Sequence, residues 1–153
     1  MPKISIITPC YFNGDNIPVT FPVLLENEKN FPAGTQIEYV FVDDGSKDNT
    51  WEQLKKVYQA HPDKVKIIKL ARNFGANNAS FTGICHATGD CCVILSADLQ
   101  DPPELIPQLY AHWQKGYKLV LAQKANREDS FLTKLFSNTY HNLVRKKKKK
   151  NAP

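Results

Sequence analysis

The sequence predicts an α/β fold, a mostly parallel sheet with helices on both faces. Three observations predict it. Short runs rich in β-branched and apolar residues alternate with stretches of helical period, strand then helix, along most of the chain. Three of the strand-like runs end directly in a polar cluster, as expected where a parallel sheet gathers its carboxyl ends on one edge. The length of 153 residues and an apolar content of 42% suit one domain with a real core.

Ile4 to Thr8 is a β-branched run ended by Pro9, a first buried strand. Pro9 to Asn16 is a turn cluster. Asn16 can cap a helix that runs to about Lys29, with Pro18 in its first turn and Val19, Val23, Leu24 and Glu28 at near-helical spacing. Gln36 to Val42 is a second strand entering the core, followed by Asp43-Asp44-Gly45-Ser46. Asp48 or Asn49 then caps a helix from Thr50 to Ala60, with Trp51, Leu54, Val57 and Tyr58 on one face. Val65 to Leu70 is a third strand, and Ala71 to Gly75 a loop. Small residues dominate the helix from Ala76 to Ala87, so it can pack closely on a sheet, and Gly89 is its expected stop. Cys91 to Leu95 is the fourth strand. It leads into Ser96-Ala97-Asp98-Leu99-Gln100-Asp101 before a double proline. A helix from Pro103 to Lys115 ends at Gly116, a fifth strand covers Lys118 to Ala122, and Ser130 caps a last amphipathic helix that reaches Leu143.

Composition removes several function classes. No apolar run approaches the roughly 18 residues that a membrane-spanning helix needs, and Met1-Pro2-Lys3 before a strand does not read as a signal peptide. Cys10, Cys85, Cys91 and Cys92 show no C-x-x-C spacing, which points to reduced thiols and a cytoplasmic setting. The four histidines share no metal-ligand spacing. The net charge is +5, yet Arg145 to Lys150 alone supplies six consecutive cations, so the remaining chain is close to neutral. A nucleic-acid partner is not expected, because it would need cations spread over a folded face. The expected organisation is a single domain over residues 1–145 and a basic, disordered tail over 146–153.

The clusters at Pro9 to Asn13, Asp43 to Ser46 and Asp98 to Asp101 should converge on one crevice. Taken singly, a D-D-G-S turn serves as a tight turn with a helix cap, and an acidic cluster before Pro-Pro as a helix start. No G-x-G-x-x-G follows the first strand and no G-x-x-x-x-G-K-[ST] occurs anywhere. Phosphates then need another source of positive charge. Carboxylate and amide oxygens can hold Mg²⁺ or Mn²⁺, and the metal can hold a diphosphate. Arg72 is the arginine in the loops before this cluster and a natural phosphate partner.

T-P-C-Y-F-N, V-F-V-D-D-G-S-K-D-N-T, L-A-R-N-F-G-A-N-N-A and A-D-L-Q-D-P-P-E occur in this order. Together they resemble the inverting family 2 glycosyltransferases of the GT-A fold, and within them the polyprenyl-phosphate sugar transferases similar to dolichyl-phosphate mannose synthase. The resemblance spans Ile4 to Leu143. It implies transfer of a sugar from a UDP- or GDP-linked donor to a polyprenyl phosphate, assisted by Mg²⁺ or Mn²⁺. It also implies roles. Pro9 and Tyr11 would line the nucleobase pocket, Asp43 would hydrogen-bond the base, and Asp44 would lie near the ribose. Arg72 and Gly75 would border the nucleotide. Asp98 would ligate metal and diphosphate with Gln100 as second ligand, Asp101 would sit beside the sugar, and Arg127 would meet the lipid phosphate.

Two departures accompany the resemblance. The family's D-x-D metal motif is Ser96-Ala97-Asp98 here, which puts a neutral hydroxyl in place of a carboxylate and should weaken the metal site. Family members also continue well past this length, so the donor half is expected to be present and the acceptor half incomplete. Two other expectations stand beside the enzyme. One is a module that binds a nucleotide sugar without turnover. The other is a partner at an anionic membrane surface or of a second copy of the chain, held by the last helix and its lysines. Near such a surface each cation contributes roughly 1 kcal/mol, and the expected location is then peripheral, at the inner face of the membrane.

Overall fold

The structure, a computed structural model, describes residues 2–122. Four strands form one sheet: β1 (Lys3–Cys10), β2 (Gln36–Asp43), β3 (Val65–Lys69) and β4 (Cys91–Ile94). Their order is β3-β2-β1-β4 and every pairing is parallel. Helices α1 (Ile17–Asn27), α2 (Thr50–Ala60), α3 (Ala76–His86) and α4 (Ile106–Gln114) make or follow the crossovers. A single 3₁₀ turn extends α1 and another precedes α4.

Alternation along β1 and β2 sorts the core into two layers. Ile4, Ile6, Tyr39 and Phe41 face one side, where Ile17, Phe21 and Leu24 of α1, Leu54 of α2, and Ile106 and Tyr110 of α4 cover them. Ile7, Val40 and Val42 face the other, against Ala79 of α3. A side chain at Gly83 would collide with the Ile7 methyl, so its absence lets α3 approach the sheet closely. Helices thus lie on both faces, as expected.

The chain moves outward from β1 to β2 to β3, then returns to the far side of β1 for β4. This reversal is the switch point at which open α/β sheets bind ligands, beyond the carboxyl ends of the strands. At the opposite edge the sheet is locked by a buried carboxylate. Glu38 accepts hydrogen bonds from Ser5 Oγ at 2.6 Å and from Thr88 N and Oγ1 at 2.8 Å each. Lys66 Nζ pairs with it at 2.9 Å and Lys3 Nζ at 3.3 Å.

Several expectations change. Residues 118–122 form no strand: Leu119 and Leu121 are exposed, and β4 pairs only with β1 among the described residues. A β-prone run becomes a strand only when a neighbouring strand takes up its backbone groups, and none does so there among the described residues. Pro9 lies inside β1 rather than ending it. The backbone bonds of Ile7 and Cys10 show that alternate residues face β4 and β2, so Pro9 turns its missing N–H toward β4, beyond the last pair Ile7–Ile94. Asn16 makes no side-chain cap on α1; the Asn13 carbonyl accepts the Asn16 and Ile17 amides instead. Val19 is exposed, and the inward stripe is Ile17, Thr20, Phe21, Leu24 and Asn27. Asn49 holds the N-cap position of α2 but makes no side-chain cap; Asp48, one residue earlier, accepts from Thr50 N at 3.1 Å and Thr50 Oγ1 at 2.6 Å instead. Gly89 does not stop α3, which ends at His86. A Cβ there would sit 2.8 Å from Ser5 N, so Gly89 is required by close approach to β1. The last helix, Arg127 and the tail over 146–153 lie outside the described residues.

Candidate functional site

The turn after β2 joins the loops after β1 and β3, and each of its residues has a separate task. Asp43 ends the strand opposite Cys10. Its Oδ1 accepts the Ser46 amide at 2.9 Å, while its Oδ2 is buried with no hydrogen-bond partner among the described residues. Asp44 donates its amide to the Cys10 carbonyl at 2.8 Å. Its carboxylate accepts two backbone amides from the loop after β3, Phe74 N on Oδ1 and Gly75 N on Oδ2, both at 2.8 Å. Gly45 has φ +72°, and a Cβ on it would lie 2.5 Å from the Arg72 carbonyl carbon, so only glycine lets the Arg72 backbone cross here. The Ser46 hydroxyl accepts the Phe12 amide at 3.0 Å, which fastens the loop after β1.

That first loop is further tied down. Tyr11 N donates to Asn13 Oδ1 at 2.7 Å, Asn13 N to Thr50 Oγ1 at 2.8 Å and Gly14 N to Asp48 Oδ2 at 3.2 Å. Phe12 is held at φ +55°, a left-handed conformation that a bulky residue adopts only when its surroundings impose it. The result is an exposed aromatic pair, with the Tyr11 and Phe12 rings edge to face at 4.6 Å. Beneath it the Cys10 thiol is buried, and burial followed by the nearby Asp43 charge pushes its pKa up, which leaves it protonated and inert. The loop after β3 exposes a second pair: the Arg72 guanidinium lies 4.4 Å from the centre of the Phe74 ring.

The turn after β4 is pinned at both ends by α1. Thr20 Oγ1 donates to the Ala97 carbonyl and Asn27 Nδ2 to the Pro103 carbonyl, each at 2.7 Å and buried. Between these anchors Leu99 takes φ +58°, and Gln100 N donates to Asp98 Oδ1 at 3.2 Å in an Asx turn. Asp98 and Gln100 are exposed and Asp101 is half-buried. The Ser96 hydroxyl donates to Asp101 Oδ2 at 2.9 Å, a bond that uses its proton and not its lone pairs.

The sheet therefore gathers Pro9, Tyr11, Asp43, Asp44, Ser96, Asp98, Gln100 and Asp101 along one edge, with Arg72 and Gly75 brought in by Asp44. Thr20 and Asn27 are the residues that sequence reasoning passed over. Their signal was two polar residues, seven apart, on the stripe of α1 that should be apolar. Among the described residues no group of three or more His, Cys, Asp or Glu could hold a metal by itself. The available protein donors are the Asp98 carboxylate and the Gln100 amide oxygen, with the Ser96 hydroxyl nearby. Such a set suits a hard divalent cation that takes its other ligands from phosphates.

Sheet order, switch point and strand-end loops define an open α/β protein, and likeness to a solved mannosyltransferase together with a family match gives it the GT-A fold. The mannosyltransferase PcManGT of Pyrobaculum calidifontis, solved with GDP-Man and Mn²⁺, superposes with a TM-score of 0.53 at 27% identity, over 66% of this chain and 33% of that one. Residues 5–152 match the profile described as glycosyl transferase family 2, and the chain belongs to that family. An uncharacterized glycosyltransferase of Synechocystis is 40% identical over 135 residues, 88% of this chain and 42% of the relative. The undecaprenyl-phosphate 4-deoxy-4-formamido-L-arabinose transferase of Klebsiella pneumoniae is 36% identical over 146 residues, 94% of this chain and 43% of that protein. The chain thus spans less than half the length of these two relatives.

Proposed function

We propose that the crevice binds a nucleoside-diphosphate sugar and that the chain takes part in moving the sugar to a polyprenyl phosphate. The observation that carries this is the joining of the loops after β1, β2 and β3, on the same sheet edge as the turn after β4. The exposed groups along that edge are the Tyr11 and Phe12 rings, the Arg72 guanidinium with Phe74, and the Asp98 and Gln100 oxygens. Aromatic faces suit a base, a guanidinium suits phosphate, and hard oxygen donors suit a divalent cation.

In this reading Pro9 and Tyr11 border the base, and Asp43 Oδ2 accepts a base N–H, which gives a buried acceptor its partner. Asp98 and Gln100 would hold the cation, either Mg²⁺ or Mn²⁺, with Ser96 as a neutral third donor. The chemistry a bound cation would supply there is positive charge toward the departing diphosphate. Arg72 offers further positive charge to that diphosphate. The acceptor phosphate is already ionised, so its oxygen attacks the anomeric carbon without a strong general base. The bond to the diphosphate breaks as the new bond forms on the opposite face, and the configuration inverts. Asp101 lies beside the sugar and Arg127 meets the lipid phosphate. With UDP or GDP donors and a lipid acceptor, the working position is peripheral to a membrane. No helix among the described residues is long and apolar enough to cross one.

The test is incubation with labelled UDP- and GDP-sugars, Mn²⁺ and a short polyprenyl phosphate. A lipid-linked labelled product is expected, and its absence across the common donors overturns transfer. Ser96 favours a second reading, binding without turnover, because it replaces a carboxylate with a neutral donor. Calorimetry with UDP or GDP and Mn²⁺ separates the two: binding without product supports the second, and no binding rejects both.

A further inference from the structure

The nucleotide-sugar reading expects Asp44 near the ribose, and the following inference rests on that reading while giving Asp44 a different task. Asp44 is 2% exposed, and each of its carboxylate oxygens already accepts a backbone amide. These two amides satisfy both oxygens of the buried carboxylate and are in turn fixed by it. Two further features fasten the same segment to the same turn. Leu70 N donates to the Asp43 carbonyl at 2.9 Å, and the Arg72 Cα lies 2.6 Å from where a Gly45 Cβ would stand. The free end of this clasp is the exposed Arg72–Phe74 stack. Phe74 contributes both its ring to that stack and its amide to Asp44.

We propose that Asp44 is a positioning residue: by clamping the Phe74 and Gly75 amides it presents the Arg72 guanidinium to the diphosphate, without itself touching the nucleotide. A carboxylate in contact with ribose and one that acts through Arg72 make different demands on the ligand. Ribose is present in nucleoside mono- and diphosphates alike, whereas an effect routed through Arg72 grows with the diphosphate.

Calorimetry on the full chain with Mn²⁺, using UDP and GDP beside UMP and GMP, tests this. Asp44→Asn keeps the size of the side chain but turns an amide NH₂ toward one of the two backbone donors. It should weaken diphosphate binding about 10-fold, with monophosphate binding changed less than about 3-fold, and it should add little when combined with Arg72→Ala. Asp44→Asn should also speed hydrogen exchange at the Phe74 and Gly75 amides. Equal losses for mono- and diphosphates, or additive effects of Asp44→Asn and Arg72→Ala, overturn the proposal. If Asp44→Asn does not fold, the exposed variants Arg72→Ala and Phe74→Ala decide. Each should weaken diphosphate binding selectively, and unchanged binding in both rejects the arm. Failure of the native chain to bind any nucleotide rejects the nucleotide reading itself, an outcome distinct from additive variants.

Discussion

The Ser96 hydroxyl donates to Asp101 Oδ2 at 2.9 Å, linking the residue two before Asp98 to the end of the turn that carries it. Removing the hydroxyl and replacing it by a carboxylate should have opposite consequences. Ser96→Ala loses a charge-assisted bond and should lower stability by about 0.5–1.5 kcal/mol, read from urea unfolding. Ser96→Asp adds a charged donor and should tighten Mn²⁺ binding in the presence of UDP or GDP. Protons compete with the cation for a carboxylate, so the gain should be larger at the alkaline end of the range. Calorimetry between pH 5 and pH 8 is the measurement. Unchanged Mn²⁺ affinity would place Ser96 outside the cation site.

Glu38 makes stability depend on acid. Its burial raises the pKa, but hydrogen bonds from Ser5, Thr88 and Lys66 more than offset that and hold it at about 2, against an ordinary value of 4.5. A carboxylate with a depressed folded-state pKa stabilises above its unfolded value and loses that contribution as pH falls toward the folded one. The contribution, about 3 kcal/mol, should therefore be present above pH 4.5 and vanish between there and pH 2. Glu38→Gln should be less stable at neutral pH and should flatten this part of the profile, as followed by denaturant unfolding across pH.

Two glycines in the left-handed region separate strain from collision. Gly45 (φ +72°) would bring a Cβ to 2.5 Å from the Arg72 backbone, whereas Gly75 (φ +91°) has open space. Gly75→Ala should cost about 1–2 kcal/mol from backbone strain alone. Gly45→Ala should cost more, about 3 kcal/mol or above, because the crossing backbone must also move. Thermal unfolding of both variants gives the difference, and equal losses would contradict the close crossing of Arg72 over Gly45.

The anchors on α1 should control the turn after β4. Thr20→Val keeps the shape but leaves the Ala97 carbonyl without its donor, which should cost about 1–3 kcal/mol. Asn27→Ala should act in the same way on the Pro103 carbonyl. Both should speed hydrogen exchange in residues 98–101 more than in β1 or β2. Uniform exchange changes across the sheet would show that these bonds hold the fold in general and not this turn in particular.

Most of the scaffold was legible because its signals are local. Alternating strand and helix periods predicted β1 to β4 and α1 to α4, with ends shifted by a few residues. Small residues in α3 predicted close packing, which Gly83 against Ile7 provides. The misreadings share one cause. Val19 has an apolar side chain at helical spacing, yet the neighbouring stripe carries Thr20 and Asn27, whose burial depends on two carbonyls more than 70 residues away. Leu119 and Leu121 read as a strand, but a strand exists only beside another.

By itself the sequence determined the four strands of the sheet, the edge on which the polar clusters gather, and the resemblance to the family to which the chain belongs. These follow from hydrophobic period and from motifs whose residues are neighbours in the chain. Only the tertiary structure decided how Asp43 and Asp44 divide their tasks. One keeps a buried oxygen without a partner among the described residues, and the other spends both oxygens on the backbone of Phe74 and Gly75. The two residues are adjacent and identical in chemistry. Alternation along a strand end turns their side chains to different surroundings, and what each meets there is set by loops about 30 residues apart in sequence.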